Sequence, residues 1–359
     1  MNSASPGTGN RPGITRSLGD QTLVLYHPPL AAPTVLVYAQ TMADDLFGGR
    51  FKPGAAPQPD DDDDSGSSYR NQRGRAGRPA ENEIATAVDT LPALPTVVTQ
   101  ILAQVGKTYS SAADLEALIG QDMVIAGRLL KMVNSPFYGL SHPIASITQA
   151  VAIIGFASLK SLVLAASTAN LLVVDLGSYG LAPEGLWRNS IATAAVSRAI
   201  GLRNGAGKDD AEEYFAAGLL RDVGMLVLGP FLRRRNVVLR RVVGVQDILA
   251  TERQELGFDH CWVGDRVAEK WRLPPGLRLA IAKHHRIPTT ALAKDLRQLA
   301  AVRLAERLVY AAGVGVLPDH PFDQYIDGLL IQAAGLDAIS FQGLMTEIPR
   351  LVSGVSETV

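Results

Sequence analysis

A single cysteine, Cys261, occurs in the 359 residues of this chain. One thiol excludes an intrachain disulfide and any zinc site built from cysteines, and it fits a reducing, cytoplasmic setting. Aromatic residues make up only 6% and charged residues 19%, and 34 Lys and Arg nearly cancel 35 Asp and Glu. The net charge of −1 gives no global attraction to nucleic acid or to an anionic membrane. The opening MNSASPGTGNRPG has no charged segment followed by an apolar run, so no secretory signal is expected. Lys, Arg, Asp and Glu are absent between Lys131 and Lys160, a stretch interrupted by Asn134, Pro136, Gly139, His142 and Pro143. It breaks well short of the roughly 20 apolar residues that a membrane span needs. A soluble protein with no membrane partner is therefore expected. No GxxxxGK[ST], strand-borne GxGxxG, GxSxG or HExxH motif points to a P-loop, a dinucleotide fold, a serine hydrolase or a zinc protease.

What is present is an apolar and periodic sequence, 47% hydrophobic, long enough for a large core. Residues 1–85 stand apart, rich in Gly, Pro, Ser and Asp, with an acidic run Asp60–Asp64 and a basic stretch YRNQRGRAGR at 69–78. Such blocks read as a largely disordered, solvated tail, in which TLVLYHPPLAAPTVLVYAQ is the one segment suited to docking. From residue 88 onward the pattern is helical. Ser111 with Asp114 forms a capping-box pattern, Asp122 reads as an N-cap, and Ser146 opens a short helix ending at Ile154. Further helices are expected at about 184–202, 210–228, 258–271, 275–285, 293–313, 322–334 and 340–352. Pro136, Pro143, Pro230, Pro274, Pro288 and Pro318 fall between them as helix breakers. The main body reads as all-α.

Several segments, taken in order, resemble the HDOD family, the HD-related output domains of bacterial signalling proteins. They are LPALPTVVTQIL at 91–102, IGQDMVIAGRLLKMVNSPFYGL at 119–140, ITQAVAIIGFASLKSLVL at 147–164 and LWRNS at 186–190. AGLLRDVGMLVL at 217–228, ERQELGFDHCWVGDRVAEKWRLP at 252–274 and IAKHH at 281–285 follow at matching spacing. The resemblance covers roughly 88–313. It implies a helical bundle in two lobes, 88–180 and 181–315, making a domain of 88–315 closed by C-terminal helices at 316–359. It also implies a signalling or regulatory role through protein–protein contacts.

HDOD domains are relatives of the HD phosphohydrolases, which hold divalent metal with an early His, a His-Asp pair and a late Asp. Those ligands suit such ions, and the bound metal acidifies the attacking water. The resemblance places Asn189 at the early His, Arg221-Asp222 at the pair and Glu306 at the late Asp. An amide is a weak ligand, and a guanidinium, always protonated, is none. The expectation is a degenerate site with no resident metal, no cofactor and no catalysis. A residual phosphohydrolase rebuilt from Asp222, Glu306 and His284 or His285 is the rival. A nucleotide sensor holding phosphates with Arg221 and the arginines of FLRRRNVVLRRVV is the third reading.

Arg221 and Asp222 sit inside an apolar run, and adjacent residues of a regular helix point about 100° apart, so each is expected to find its own partner. For Asp222 the candidates are Arg188, His260, His284 and His285, which are also the candidate cleft-lining or ligand-binding residues. His260 otherwise reads as a capping residue, and His284 and His285 as a complement to a helix C-terminus. The three histidines with Asp222 have the donors for an adventitious zinc or nickel site. Arg233, Arg234, Arg240 and Arg241 would share a broad helical face and, with Arg235, make a basic surface that is solvated or offered to an acidic partner, an anionic nucleotide or RNA. Nucleic acid is not an expected partner, a nucleotide ligand stays open, and the identity of regulatory partners is not legible. Trp187, Trp262 and Trp271 read as core, Cys261 as a small buried residue and His142 as a turn residue.

Overall fold

The computed structural model describes residues 79, 81–95, 98, 112–135, 138, 140–239, 245–286, 293–314 and 324–354. The tail up to residue 78, the Ser111 capping box, and Arg240 and Arg241 lie outside them. The described residues form thirteen α-helices, one 3₁₀ turn (Gly177–Tyr179) and no strand. In order the helices are α1 (Glu81–Thr90), α2 (Ala112–Ile119), α3 (Met123–Val133), α4 (Ile147–Leu172), α5 (Gly185–Arg203), α6 (Lys208–Leu220) and α7 (Gly224–Arg234). There follow α8 (Val245–Leu256), α9 (His260–Lys270), α10 (Pro275–Lys283), α11 (Ala293–Ala311), α12 (Gln324–Ala333) and α13 (Ala338–Ser353). The all-α expectation holds.

Local chemistry sets many of these boundaries. Asp122 accepts from the N–H groups of Val124 and Ile125, Ser146 from Gln149 and Asp259 from Trp262, each satisfying donors that a helix start leaves unpaired. Asn134 clamps the chain after α3: its amide donates to the Ile144 carbonyl (2.9 Å) and its carbonyl accepts from the Ile144 N–H (2.7 Å). Within α4 the backbone breaks at Gly155, whose φ of 84° is costly for any other residue type. The short helix expected after Ser146 is thus the first arm of a longer, kinked one.

Four expectations need correction. The tail does not extend to residue 85, because α1 starts at Glu81 and buries Ile84 and Val88 against α9 and α7. Lys270 on α9 ties α1 down by donating to the carbonyls of Val88, Asp89 and Leu91, and the Trp271 indole N–H donates to Pro92. Pro230 does not end a helix; α7 runs through it to Arg234 because Leu232, fully buried, holds that turn in the core. The helix expected at 210–228 is two helices, parted at residues 221–223. Apolar length was also underestimated. Ile147–Leu172 and the run Lys208–Arg234 are long and apolar enough to cross a membrane by composition, although 61% and 89% of their most apolar windows are buried inside the fold.

One continuous core joins the elements, from Ile84 in α1 to Leu351 in α13. Helices α5 and α6 pack along their lengths at its centre, flanked by α4, α11, α10 and α13. The α5–α6 approach depends on Gly218, where a Cβ would lie 2.9 Å from the Ala194 Cα. The buried Arg307–Asp327 pair (Nη2 to Oδ2, 2.8 Å) fastens α12 to α11, and Asn204 reaches the Ala334 carbonyl. These contacts join the C-terminal helices to the bundle.

Candidate functional site

The chain between α6 and α7 builds the site. Backbone bonds there contract to the i→i−3 pattern, Val223 to Leu220, Met225 to Asp222 and Leu226 to Val223. These tight turns take Arg221 and Asp222 out of regular helical geometry. The Arg221 side chain folds back over the end of α6, where Nη1 donates to the Gly218 carbonyl (2.8 Å). Its Nη2 then reaches both the Asn189 side-chain oxygen and Asp222 Oδ2 (2.8 Å for the latter). The two adjacent residues do pair with each other, contrary to the helical expectation, because neither lies in a regular helix. Glu306 stands 3.9 Å from Arg221 Nε.

The other oxygen of Asp222 faces histidines. Oδ1 lies 3.3 Å from His284 Nε2 and 3.7 Å from His260 Nε2. His260, the first residue of α9, comes this close because Gly224 lets the helices touch backbone to backbone; a Cβ there would stand 2.0 Å from the His260 carbonyl oxygen. His284 caps the C-terminus of α10, its Nδ1 3.0 Å from the Ile281 carbonyl. His285 turns Nε2 to His260 Nε2 (3.1 Å) and Nδ1 toward Glu306 (3.8 Å). Arg221, Asp222, His260 and His284 are all 2% exposed or less.

Burial raises the Asp222 carboxyl, but Arg221, His284 and His260 together outweigh it and hold it below the usual carboxylate range. For His260, burial opposes the charge and Glu252 overcomes it, leaving the imidazole well above its ordinary value. His284 is likewise pushed up to about 10, burial being outweighed by Cys261 and Asp222. His285 moves the other way, well below its ordinary value, through burial and the nearby His284, Arg303 and His260.

Three contributors were not singled out in the sequence. Glu252 of α8, fully buried, holds His260 through Nδ1 (2.8 Å) and the backbone N–H (3.0 Å), and Tyr179 donates to it (2.6 Å). Arg303 of α11 bonds Glu306 and lies 3.5 Å from His285 Nδ1. Glu252 stands eight residues before His260 in ERQELGFDH, which was its only signal. Arg188, by contrast, does not reach the site: it is exposed and pairs with Glu184 one turn back.

Of the expected arginine face, Arg233, Arg234 and Arg235 are among the described residues, at the end of α7 and just beyond it. Asn236, at φ 56°, ends α7 in a Schellman-type cap, with Val237 N–H on the Leu232 carbonyl and Asn236 N–H on Arg233. Arg233 pairs with Asp175, Arg234 lies over the Phe231 ring, and Arg235 approaches Glu255. Trp187 and Trp271 are core residues, but Trp262 is only half-buried, between Phe258 and Arg266. Cys261 is buried 3.9 Å from His284 Nδ1, and His142 is exposed in a bend.

The four positions aligned with HD metal ligands do not fit a metal. Asn189 is committed on both sides, its oxygen to Arg221 and its nitrogen to the Val314 carbonyl (2.8 Å). The Arg221 guanidinium fills the space between Asn189, Asp222 and Glu306.

An all-helical bundle with a buried Arg-Asp pair at its central break and histidines around it defines a domain related to the HD proteins. The HDOD domain family model matches residues 91–287, and the chain belongs to that family. A curated but uncharacterised protein of Treponema pallidum is 27% identical over 211 residues, 57% of this chain and 39% of the relative. The chain therefore spans about two fifths of that relative's length. An HDOD domain protein of Geobacter sulfurreducens superposes with a TM-score of 0.61 at 22% identity, over 77% of this chain and 96% of its own. A Marinobacter aquaeolei protein, provisionally named a signal transduction protein, gives 0.55 at 17% identity over 91% and 66%. A Shewanella amazonensis protein, provisionally named a metal-dependent phosphohydrolase, gives 0.50 at 19% over 74% and 96%. These likenesses bear on the fold.

Proposed function

We propose that this chain is a non-catalytic regulatory module of bacterial signal transduction that acts in the cytoplasm by binding partner proteins. The observation that carries the reading is Arg221: a fixed, fully buried guanidinium bonded to Asp222 and Asn189 takes the place a catalytic cation would need. Membership of the HDOD family supports the signalling role. The nucleotide-sensor alternative loses its main residue, since Arg221 is buried and its donors are already committed.

The reading is tested by incubating the purified chain with a chromogenic phosphodiester, nucleoside triphosphates and cyclic dinucleotides, in magnesium, manganese, iron(II) or zinc. Background rates are expected throughout. Turnover that disappears in Asp222→Ala would restore the phosphohydrolase reading. A pull-down from the native organism then identifies the partner.

A further inference from the structure

A surface cleft between α8, α9 and α10 combines an apolar floor with two cations that have no partner. We infer that it is the docking site for an acidic peptide segment of a partner protein, one that inserts a large aliphatic side chain between carboxylates. The inference rests on the partner-binding reading above and gives the chemistry of the segment that binds.

The cleft has a volume of about 520 Å³, in the range of pockets that enclose a ligand. At its floor Leu249 of α8 and Cys261 of α9, both buried, form a small apolar cluster apart from the continuous core of the bundle. Trp262, Leu279 and Ala282, each half-buried, line the walls. Trp262 has no free face. Phe258 stacks on it with ring centres 4.3 Å apart, and the Arg266 guanidinium carbon lies 3.0 Å from its ring centre. A nucleobase therefore finds no indole face to stack on, whereas a leucine-like side chain needs only apolar contact.

Charge completes the description. Asp259 caps α9 and pairs with Arg253, and Asp265 is held by Arg278 through two bonds, Nη2 to Oδ2 at 3.0 Å being one. Both acids of the cleft are thus already neutralised. Lys283 and Arg286 are exposed, and among the described residues no carboxylate pairs with either. A turn closed by the Arg286 N–H on the Lys283 carbonyl (2.9 Å) joins them. Two free cations beside an apolar floor complement carboxylates beside an apolar side chain. The chain's own acidic run, Asp60–Asp64, is flanked by APQP and SGSS and lacks that side chain, so the occupant comes from another protein. A second copy in a symmetric contact would set the same cations against each other.

The test titrates the full chain with three acetylated, amidated peptides, EELEE, EESEE and KKLKK. Binding is followed by NMR at the Trp262 indole N–H, assigned with Trp262→Phe. EELEE is expected to shift that signal saturably, with EESEE and KKLKK weaker by roughly 10-fold or more. The double variant Lys283→Glu/Arg286→Glu changes only exposed side chains and should keep the wild-type circular dichroism. It should lose EELEE and gain KKLKK, a reversal that a loss of structure would not produce. The site is overturned if EELEE gives no saturable shift or if EESEE or KKLKK binds as well as EELEE. Preference for EELEE that survives the double reversal overturns it too. Phosphodiester turnover, measured separately, would overturn the regulatory reading without altering any of these titrations.

Discussion

Replacing Asp222 by alanine should be among the most damaging single changes in this protein. The carboxylate is 2% exposed, bonded to Arg221 at 2.8 Å through one oxygen and close to His284 and His260 through the other. Its removal leaves Arg221, 0% exposed, with only two neutral oxygen acceptors and a Glu306 3.9 Å away. It also leaves His260 and His284 without the anion between them. Breaking a buried pair by deleting one partner costs about 3–5 kcal/mol, most of it the desolvation of the charge left behind. At roughly 2–4 °C per kcal/mol for a domain of this size class, the midpoint should fall by about 6–20 °C. Asp222→Asn keeps an oxygen for Arg221 and an amide facing His284, so it should lose clearly less. Chelator-treated protein excludes any contribution from bound metal, and urea and thermal melts of both variants provide the measurement. An Asp222→Ala variant within about 1 kcal/mol of wild type, the size of an exposed pair, would refute the argument that this carboxylate anchors the centre of the bundle.

Two further changes probe the supports of the site. Gly224→Ala places a methyl group 2.0 Å from the His260 carbonyl oxygen, and relief requires α9 to move, whereas Gly127 in α3 has nothing within 4 Å. Urea melts should show Gly224→Ala destabilising by about 1–3 kcal/mol or more and Gly127→Ala stabilising by about 0.5–1 kcal/mol. Lys270→Met removes three carbonyl contacts at the end of α1. Hydrogen exchange should then speed up selectively in residues 81–90, with a stability loss of about 1.5–3 kcal/mol for the charged donor.

Much of the fold was legible because it is written locally. Asp122, Ser146 and Asp259 each bring a side-chain oxygen to the N–H groups two or three residues on, and apolar periodicity carries each helix from there. The breaks were harder to read. Pro230 looked like a stop, yet the burial of Leu232 kept α7 going. Asn236 looked unremarkable, yet its left-handed backbone ended the helix just beyond Arg234 and Arg235. The start of α1 was hidden because Ile84 and Val88 find their partners nearly two hundred residues away, on α9. The site was legible only residue by residue for the same reason: Glu252 is joined to Tyr179 across 73 residues, and no local pattern reports such a bond.

The two oxygens of Asp222 divide this site into halves that solve one electrostatic problem differently. On Oδ2 the compensating charge is covalently attached, and Arg221 holds it whatever the surroundings supply. Its guanidinium fills the space between Asp222, Asn189 and Glu306. On Oδ1 the compensating groups are imidazoles, whose charge depends on a proton. The responsive half is linked to the rest of the bundle: His260 starts α9, which also carries Lys270 and so anchors α1, while Glu252 belongs to α8. A change in the protonation of these histidines thus acts on three helices at once.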